Sequence, residues 1–174
     1  GTEMANEIRA EVAVGVAEMR DKHGIVPGLA VVMVGDDPAS KVYVRNKDRA
    51  AIEAGMVSES IPLQASTTQD EVLSVVRRLN CDARIHGILV QLPLPDHIDE
   101  DTVIESVNPD KDVDGLHPFN MGLLVAGQPR FVSVTPAGIQ QILLRSGFDP
   151  EGKHVVVVGR SNIVGKPVSN LLMQ

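Results

Sequence analysis

The sequence predicts an α/β fold with a mostly parallel sheet. Three observations carry this. Strand-length apolar runs such as Leu29–Val34 and Val155–Val158 are unbroken, as in strands covered on both faces. Helix-period segments with start and stop signals alternate with such strands. A glycine-rich loop, 159–167, stands between the last apolar run and the last helical pattern.

The elements follow in order. Glu3 to about Lys22 reads as a helix, with Ile8, Val12, Ala13, Val16 and Met19 near one face, ended by His23-Gly24. Pro27-Gly28 turns the chain into the strand Leu29–Val34. Asp37 as N-cap and Pro38 as first helical residue open the next helix, which Gly55 closes. Val57–Leu63 reads as a second strand. Thr67 or Thr68, followed by Asp70 and Glu71, makes a capping signal for a helix through Leu79. Ile85–Gln91 is a third strand, and Asp99–Val107 a short helix with acidic residues at its start. Thr135 as N-cap and Pro136 as first residue begin a helix that runs to Gly147. The bend Asp149-Pro150-Glu151-Gly152 marks a domain boundary, giving 1–148 and 149–174. Lys153–Gly159 is then a buried strand, and Val168 onward a helix.

Composition narrows the class. A chain of 174 residues, 43% hydrophobic, holds one good-sized core, or one domain and part of another. A net charge of −7 argues against a nucleic-acid footprint and against an anionic membrane surface. With aromatics at 2% and no Trp, there is no stacking platform for single-stranded nucleic acid. No apolar run approaches transmembrane length, and no signal peptide is visible. The chain opens Gly1-Thr2-Glu3 without an initiator Met, so its true start is expected upstream. A single cysteine, Cys81, forms no internal disulfide, excludes a thiolate-cluster metal site and suits a reducing cytoplasm.

Four stretches carry candidate chemistry. Tyr43 and Lys47 are four apart, so a helix puts phenol and amine on one face. A Lys held near apolar walls and another donor loses proton affinity and can trade protons near neutral pH; the same spacing also occurs on plain solvated helices. Gln91-Leu92-Pro93-Leu94-Pro95 closes the third strand with a stiff loop in which one X-Pro bond can be cis, and leaves the Gln91 amide at a strand terminus. Pro109–Gly115 contains Asp112 and Asp114 two apart before Gly115, a pattern open to a turn, a cation site or a ligand clamp. It lacks the oxygen ladder and later Glu of a calcium loop. His23 and His117 have no second ligand at metal-binding spacing and read as structural or surface residues. In the last stretch, Gly159-Arg160-Ser161-Asn162-Ile163-Val164-Gly165-Lys166-Pro167, a strand-loop-helix order offers backbone N–H groups and a helix N-terminus to phosphate. Arg160 and Ser161 lie where a cofactor 2′-phosphate can be bound, which favours NADP over NAD.

Taken together, the segments Pro38-Ala-Ser-x-x-Tyr43-Val-x-x-Lys47, Gly87–Pro95, Pro109–Gly115, Thr135-Pro136-x-Gly138 and Gly159–Pro167 resemble the bifunctional methylenetetrahydrofolate dehydrogenase/methenyltetrahydrofolate cyclohydrolase family. They stand in the family's order across nearly the whole chain. Short-chain dehydrogenases also use Tyr-x-x-x-Lys, but there the nucleotide loop precedes the pair. Amino-acid dehydrogenases share the two-domain order and lack the Gln-Leu-Pro-Leu-Pro and Asp-Val-Asp-Gly stretches. The resemblance implies an N-terminal catalytic domain followed by the start of a Rossmann-type NADP-binding domain. It implies Lys47 as general acid/base, Tyr43 stacking on folate, Gln91 bonding near Lys47, Asp114 holding the pterin donors, and Ser40 among the folate contacts. Gly159, Arg160 and Ser161 would bind NADP, and no metal is implied. It further implies a folate substrate, a homodimer and a cytoplasmic enzyme of one-carbon metabolism. Two departures are visible. Val134 stands where the family often has Cys, and the chain stops at Gln174, inside the first helix of the nucleotide half, so about 100 further residues are expected to complete that domain.

Overall fold

The structure, a computed structural model, describes residues Gly1–Met173. The chain forms two compact units, Ala5–Lys111 and Asp112–Gln174 with Gly1–Met4.

The first unit holds most of α1 (Thr2–His23), then β1 (Gly28–Val34), α2 (Pro38–Glu53), β2 (Val57–Leu63), α3 (Gln69–Cys81), β3 (Gly87–Gln91) and α4 (Glu100–Ser106). The three strands form one parallel sheet in the order β2-β1-β3. The central strand, β1, is buried at every position but one, as its unbroken apolar run requires. Pro62, which cannot donate to a ladder, lies in β2 at the edge of the sheet. One core gathers Ala30, Val32 and Val34 of β1, Ile88 and Val90 of β3, and Val72, Val76 and Leu79 of α3, closed by Val103 of α4. Alternation along β1 sends Val31 and Met33 to the opposite face, and α2 packs on β1 and β2.

The start and stop signals read well. Asp37 caps α2, accepting from Ser40 N at 2.7 Å, with Pro38 in the first turn. Gly55 follows the helix with φ +85°. The choice between Thr67 and Thr68 resolves to Thr68, which forms a reciprocal capping box with Glu71. Two expectations shift. β3 starts at Gly87 rather than Ile85. On α1 only Val16 is buried, while Val12 and Met19 of the expected apolar face are exposed.

The second unit is helical among the described residues: α5 (Pro118–Val125), α6 (Val134–Arg145) and α7 (Gly165–Leu172). Both α5 and α6 pack on α7, around Leu124, Pro136, Pro167, Val168 and Leu171. α6 therefore shares a unit with the glycine-rich loop, and the division by packing falls at 111/112, ahead of the bend at 149–152. α5 is not signalled by the usual caps. His117 performs that role, its Nδ1 accepting from Phe119 N at 3.0 Å, with Pro118 beginning the helix.

Two expectations for this unit are corrected. Thr135 does not cap α6; the cap position is Ser133, and Pro136 is the third helical residue, where a missing N–H costs nothing. Lys153–Gly159 is not a buried strand. It forms no ladder among the described residues, and Val156 and Val158 are 74% and 98% exposed. An apolar run specifies burial only where neighbouring strands pair with it.

Candidate active site

In the first unit the site is built on α2 and the end of β3. Holding the helix start, the Asp37 carboxyl is pulled below its ordinary range chiefly by the Ser40 backbone N–H. Ser40 itself is buried. One turn further, Tyr43 presents its ring to solvent at 58% exposure, and one turn beyond that Lys47 is half-buried. The Lys47 Nζ donates to Gln91 Oε1 at 3.1 Å. Gln91 is the last residue of β3, opposite Met33 of β1. Its Nε2 donates to the Leu92 carbonyl at 2.7 Å. That second bond fixes the amide so that the acceptor, not the NH₂, faces Lys47. The Leu92–Pro93 bond is cis, as the doubled X-Pro allowed. The result is an amine with one held neutral acceptor on one side and an exposed aromatic ring one turn away, a pair able to bind a flat ring and shuttle a proton at its edge.

Asp114, Gly159, Arg160 and Ser161 belong to the second unit. Asp114 is half-buried on a turn built by Asp112. The Asp112 carboxylate, 4% exposed, accepts from Leu116 N at 3.2 Å, His117 N at 2.9 Å and Asn120 Nδ2 at 2.9 Å. Its main-chain oxygen accepts from Gly115 N at 3.1 Å. Gly115 sits at φ +62°, and a Cβ there would lie 2.7 Å from Ser133 N, so only glycine fits. Of the three readings of this motif, Asp112 is thereby a turn-holder, satisfied by N–H donors. Among the described residues no group of three His, Cys, Asp or Glu is placed to hold a metal. Sequence reasoning missed Asp112 and Asn120 as the frame of this turn, and the Ser133 main chain as what Gly115 closes against. The Asp-x-Asp-Gly spacing was the available signal, and it does not say which carboxylate is structural.

The glycine-rich loop is held by short-range bonds. Ser161 Oγ accepts from Val164 N and Gly165 N, both at 3.2 Å, so it braces the start of α7. A Cβ on Gly165 would lie 2.6 Å from the Gly159 carbonyl carbon and 2.7 Å from Arg160 N, which lets the helix start press onto the loop. Arg160 is exposed and forms no ion pair among the described residues.

Comparison with known proteins bears on these two parts separately. Residues 1–114 match the catalytic domain of tetrahydrofolate dehydrogenase/cyclohydrolase, and residues 133–174 match its NAD(P)-binding domain. The chain belongs to the tetrahydrofolate dehydrogenase/cyclohydrolase family. Among its relatives, the bifunctional protein FolD of Dehalococcoides mccartyi is 53% identical over the whole of this chain and 59% of its own length. That of Magnetococcus marinus is 54% identical over 99% of this chain and 61% of its own. The chain thus spans about three fifths of the curated relatives it matches. Among solved structures, the bifunctional FolD enzyme from Campylobacter jejuni superposes with a TM-score of 0.95 at 43% identity, over 98% of this chain and 61% of that one. The Trypanosoma brucei FolD, solved with NADP cofactor and an inhibitor, gives 0.95 at 38% identity, over 99% and 59%. The family's catalytic domain thus covers the α2–β3 site and ends at Asp114, and its nucleotide domain covers the loop at 159–167.

Proposed function

We propose that this chain carries the folate site of an NADP-dependent methylenetetrahydrofolate dehydrogenase and methenyltetrahydrofolate cyclohydrolase. The reaction oxidises 5,10-methylenetetrahydrofolate to the 5,10-methenyl cation. Water then adds to the bridging carbon, and ring opening gives 10-formyltetrahydrofolate. The single observation that carries the reading is the Lys47–Gln91 hydrogen bond at 3.1 Å, beside Tyr43, within the region that matches the family's catalytic domain.

Each residue has a role that its chemistry fits. Lys47 is the general acid/base, its Nζ relaying a proton from the attacking water to the nitrogen that leaves as the ring opens. Gln91 holds the Lys47 Nζ in place through an acceptor that carries no charge. Tyr43 stacks on the folate, and Ser40 lies among the folate contacts. Asp114, as a carboxylate, is matched to the donor-rich edge of a pterin by charge-assisted bonds. The loop residues fit a phosphate-bearing cofactor: Arg160 is an exposed guanidinium, and Gly159 has open space where a Cβ would stand, so a ligand can approach its backbone closely. When bound, NADP⁺ supplies the hydride acceptor. Gly159, Arg160 and Ser161 would hold it, Arg160 toward the 2′-phosphate. The family reading extends to a homodimer in the cytoplasm, in keeping with a lone exposed thiol at Cys81.

The test is methenyltetrahydrofolate hydrolysis by this chain and its Lys47→Met variant, above the spontaneous rate. This half-reaction needs no nucleotide. Hydrolysis lost in the variant places the chemistry on α2. Equal hydrolysis by both removes Lys47 as the acid/base. No hydrolysis by either, with folate still bound, favours binding without turnover by these residues alone.

A further inference from the structure

Ser133 occupies the cap position of α6 and does not cap it. A capping serine accepts from the N–H of the second or third helical residue. Here the third is Pro136, which has no N–H. The hydroxyl is used elsewhere: Ser133 Oγ donates to the Ile163 carbonyl at 2.7 Å, thirty residues along the chain. Ile163 lies inside the loop that bears Gly159, Arg160 and Ser161. The donor is well aimed. Ser133 is 3% exposed, and its backbone is pinned because Gly115 of the Asp114 turn approaches it too closely to admit a Cβ. The receiving loop is the opposite. Residues 159–163 are exposed, so beyond the close approach of Gly165 to Gly159 and Arg160 it is hydrogen bonds that order the loop. Within the loop, Ser161 braces the start of α7 locally. Ser133 supplies the long-range tie.

We propose that Ser133 is a positioning residue for nucleotide binding, its hydroxyl holding the 159–166 loop in the shape that receives the cofactor phosphates. This rests on the functional reading above. Without the tie the loop spreads over more conformations, and a phosphate-bearing ligand must order it on binding. One net hydrogen bond corresponds to about 3- to 10-fold in affinity. The side chain does not contact the Gly115 turn through its hydroxyl, so the folate half should be spared.

The experiment compares the full chain with its Ser133→Ala and Ser133→Thr variants, measuring the NADP⁺ Kd and, as a nucleotide-independent reference, kcat for methenyltetrahydrofolate hydrolysis. The expected result is an NADP⁺ Kd raised about 3- to 10-fold in Ser133→Ala, with hydrolysis changed less than about twofold, and restoration by Ser133→Thr. An unchanged Kd in Ser133→Ala would overturn the inference. So would a parallel loss of NADP⁺ binding and hydrolysis, which is the mark of a merely structural residue. If the unmodified chain neither binds NADP⁺ nor hydrolyses the substrate, the functional reading itself fails and takes the inference with it.

Discussion

Replacing Gln91 by Leu removes one acceptor from Lys47 and one donor from the Leu92 carbonyl, while keeping the volume at the end of β3. The two losses have different readouts. Leu92 is half-buried, so water takes over part of its lost bond, and the stability cost is about 1 kcal/mol. The bond to Lys47 is one to a charged group, worth about 1.5–3 kcal/mol. At about 1.4 kcal/mol per factor of ten, hydrolysis should fall about 10- to 100-fold if the contact is used at the transition state. The decisive assay is a double-mutant cycle on kcat/KM for methenyltetrahydrofolate hydrolysis, with Lys47→Met, Gln91→Leu and the pair. If Gln91 acts by holding Lys47, the double variant is no slower than Lys47→Met alone. Losses that multiply would refute this, because Gln91 would then be acting on substrate independently of the amine.

Three further predictions concern the frame of the site. Asp37→Ala removes the cap of the helix that carries Tyr43 and Lys47, and should lower the melting temperature measurably. The same carboxyl predicts acid sensitivity: Asp37 is held low by the Ser40 backbone N–H, Glu71 by the Thr68 backbone N–H, and Asp99 by hydrogen bonds from Thr102. Because the unfolded chain binds their protons more readily, their contribution is complete above the ordinary values of 3.8 and 4.5 and is lost as pH falls below them, which thermal melts between pH 7 and pH 2.5 would follow. Gly115→Ala should destabilise by about 1–3 kcal/mol from φ +62° and the approach to Ser133, seen as a lower urea midpoint at constant slope. Gly122→Ala in α5, where a Cβ meets nothing, should be neutral or stabilising and serves as its control.

What was legible in the sequence was local. Asp37, Thr68 and Asp99 announce their helices because a cap acts within three residues of itself. β1 reads as central because seven residues suffice to show burial on both faces. What failed to read was long-range. Ser133 looks like any residue ahead of Thr135-Pro136, and its partner Ile163 is thirty residues away. Asp112 and Asp114 are alike in sequence, and only the donors of Leu116, His117 and Asn120 tell the buried carboxylate from its neighbour. Lys153–Gly159 has a strand's pattern, but a pattern carries no information on whether pairing partners are at hand. In the candidate site, Lys47 and Tyr43 could be placed on one helix face from spacing, whereas the orientation of the Gln91 amide depends on a carbonyl that no pattern marks.

The largely exposed run of valines after the Asp149–Gly152 bend has a consequence for handling this chain. With Val155, Val156 and Val158 exposed and no ladder on its edges among the described residues, it offers a ready template for strand addition between molecules. Its flanks temper that hazard. Lys153 precedes the run and Arg160 follows it, the positions at which charged gatekeepers interrupt stacking of like chains. Those charges thus guard colloidal solubility at a segment that packing does not protect, and the guard weakens as salt screens them.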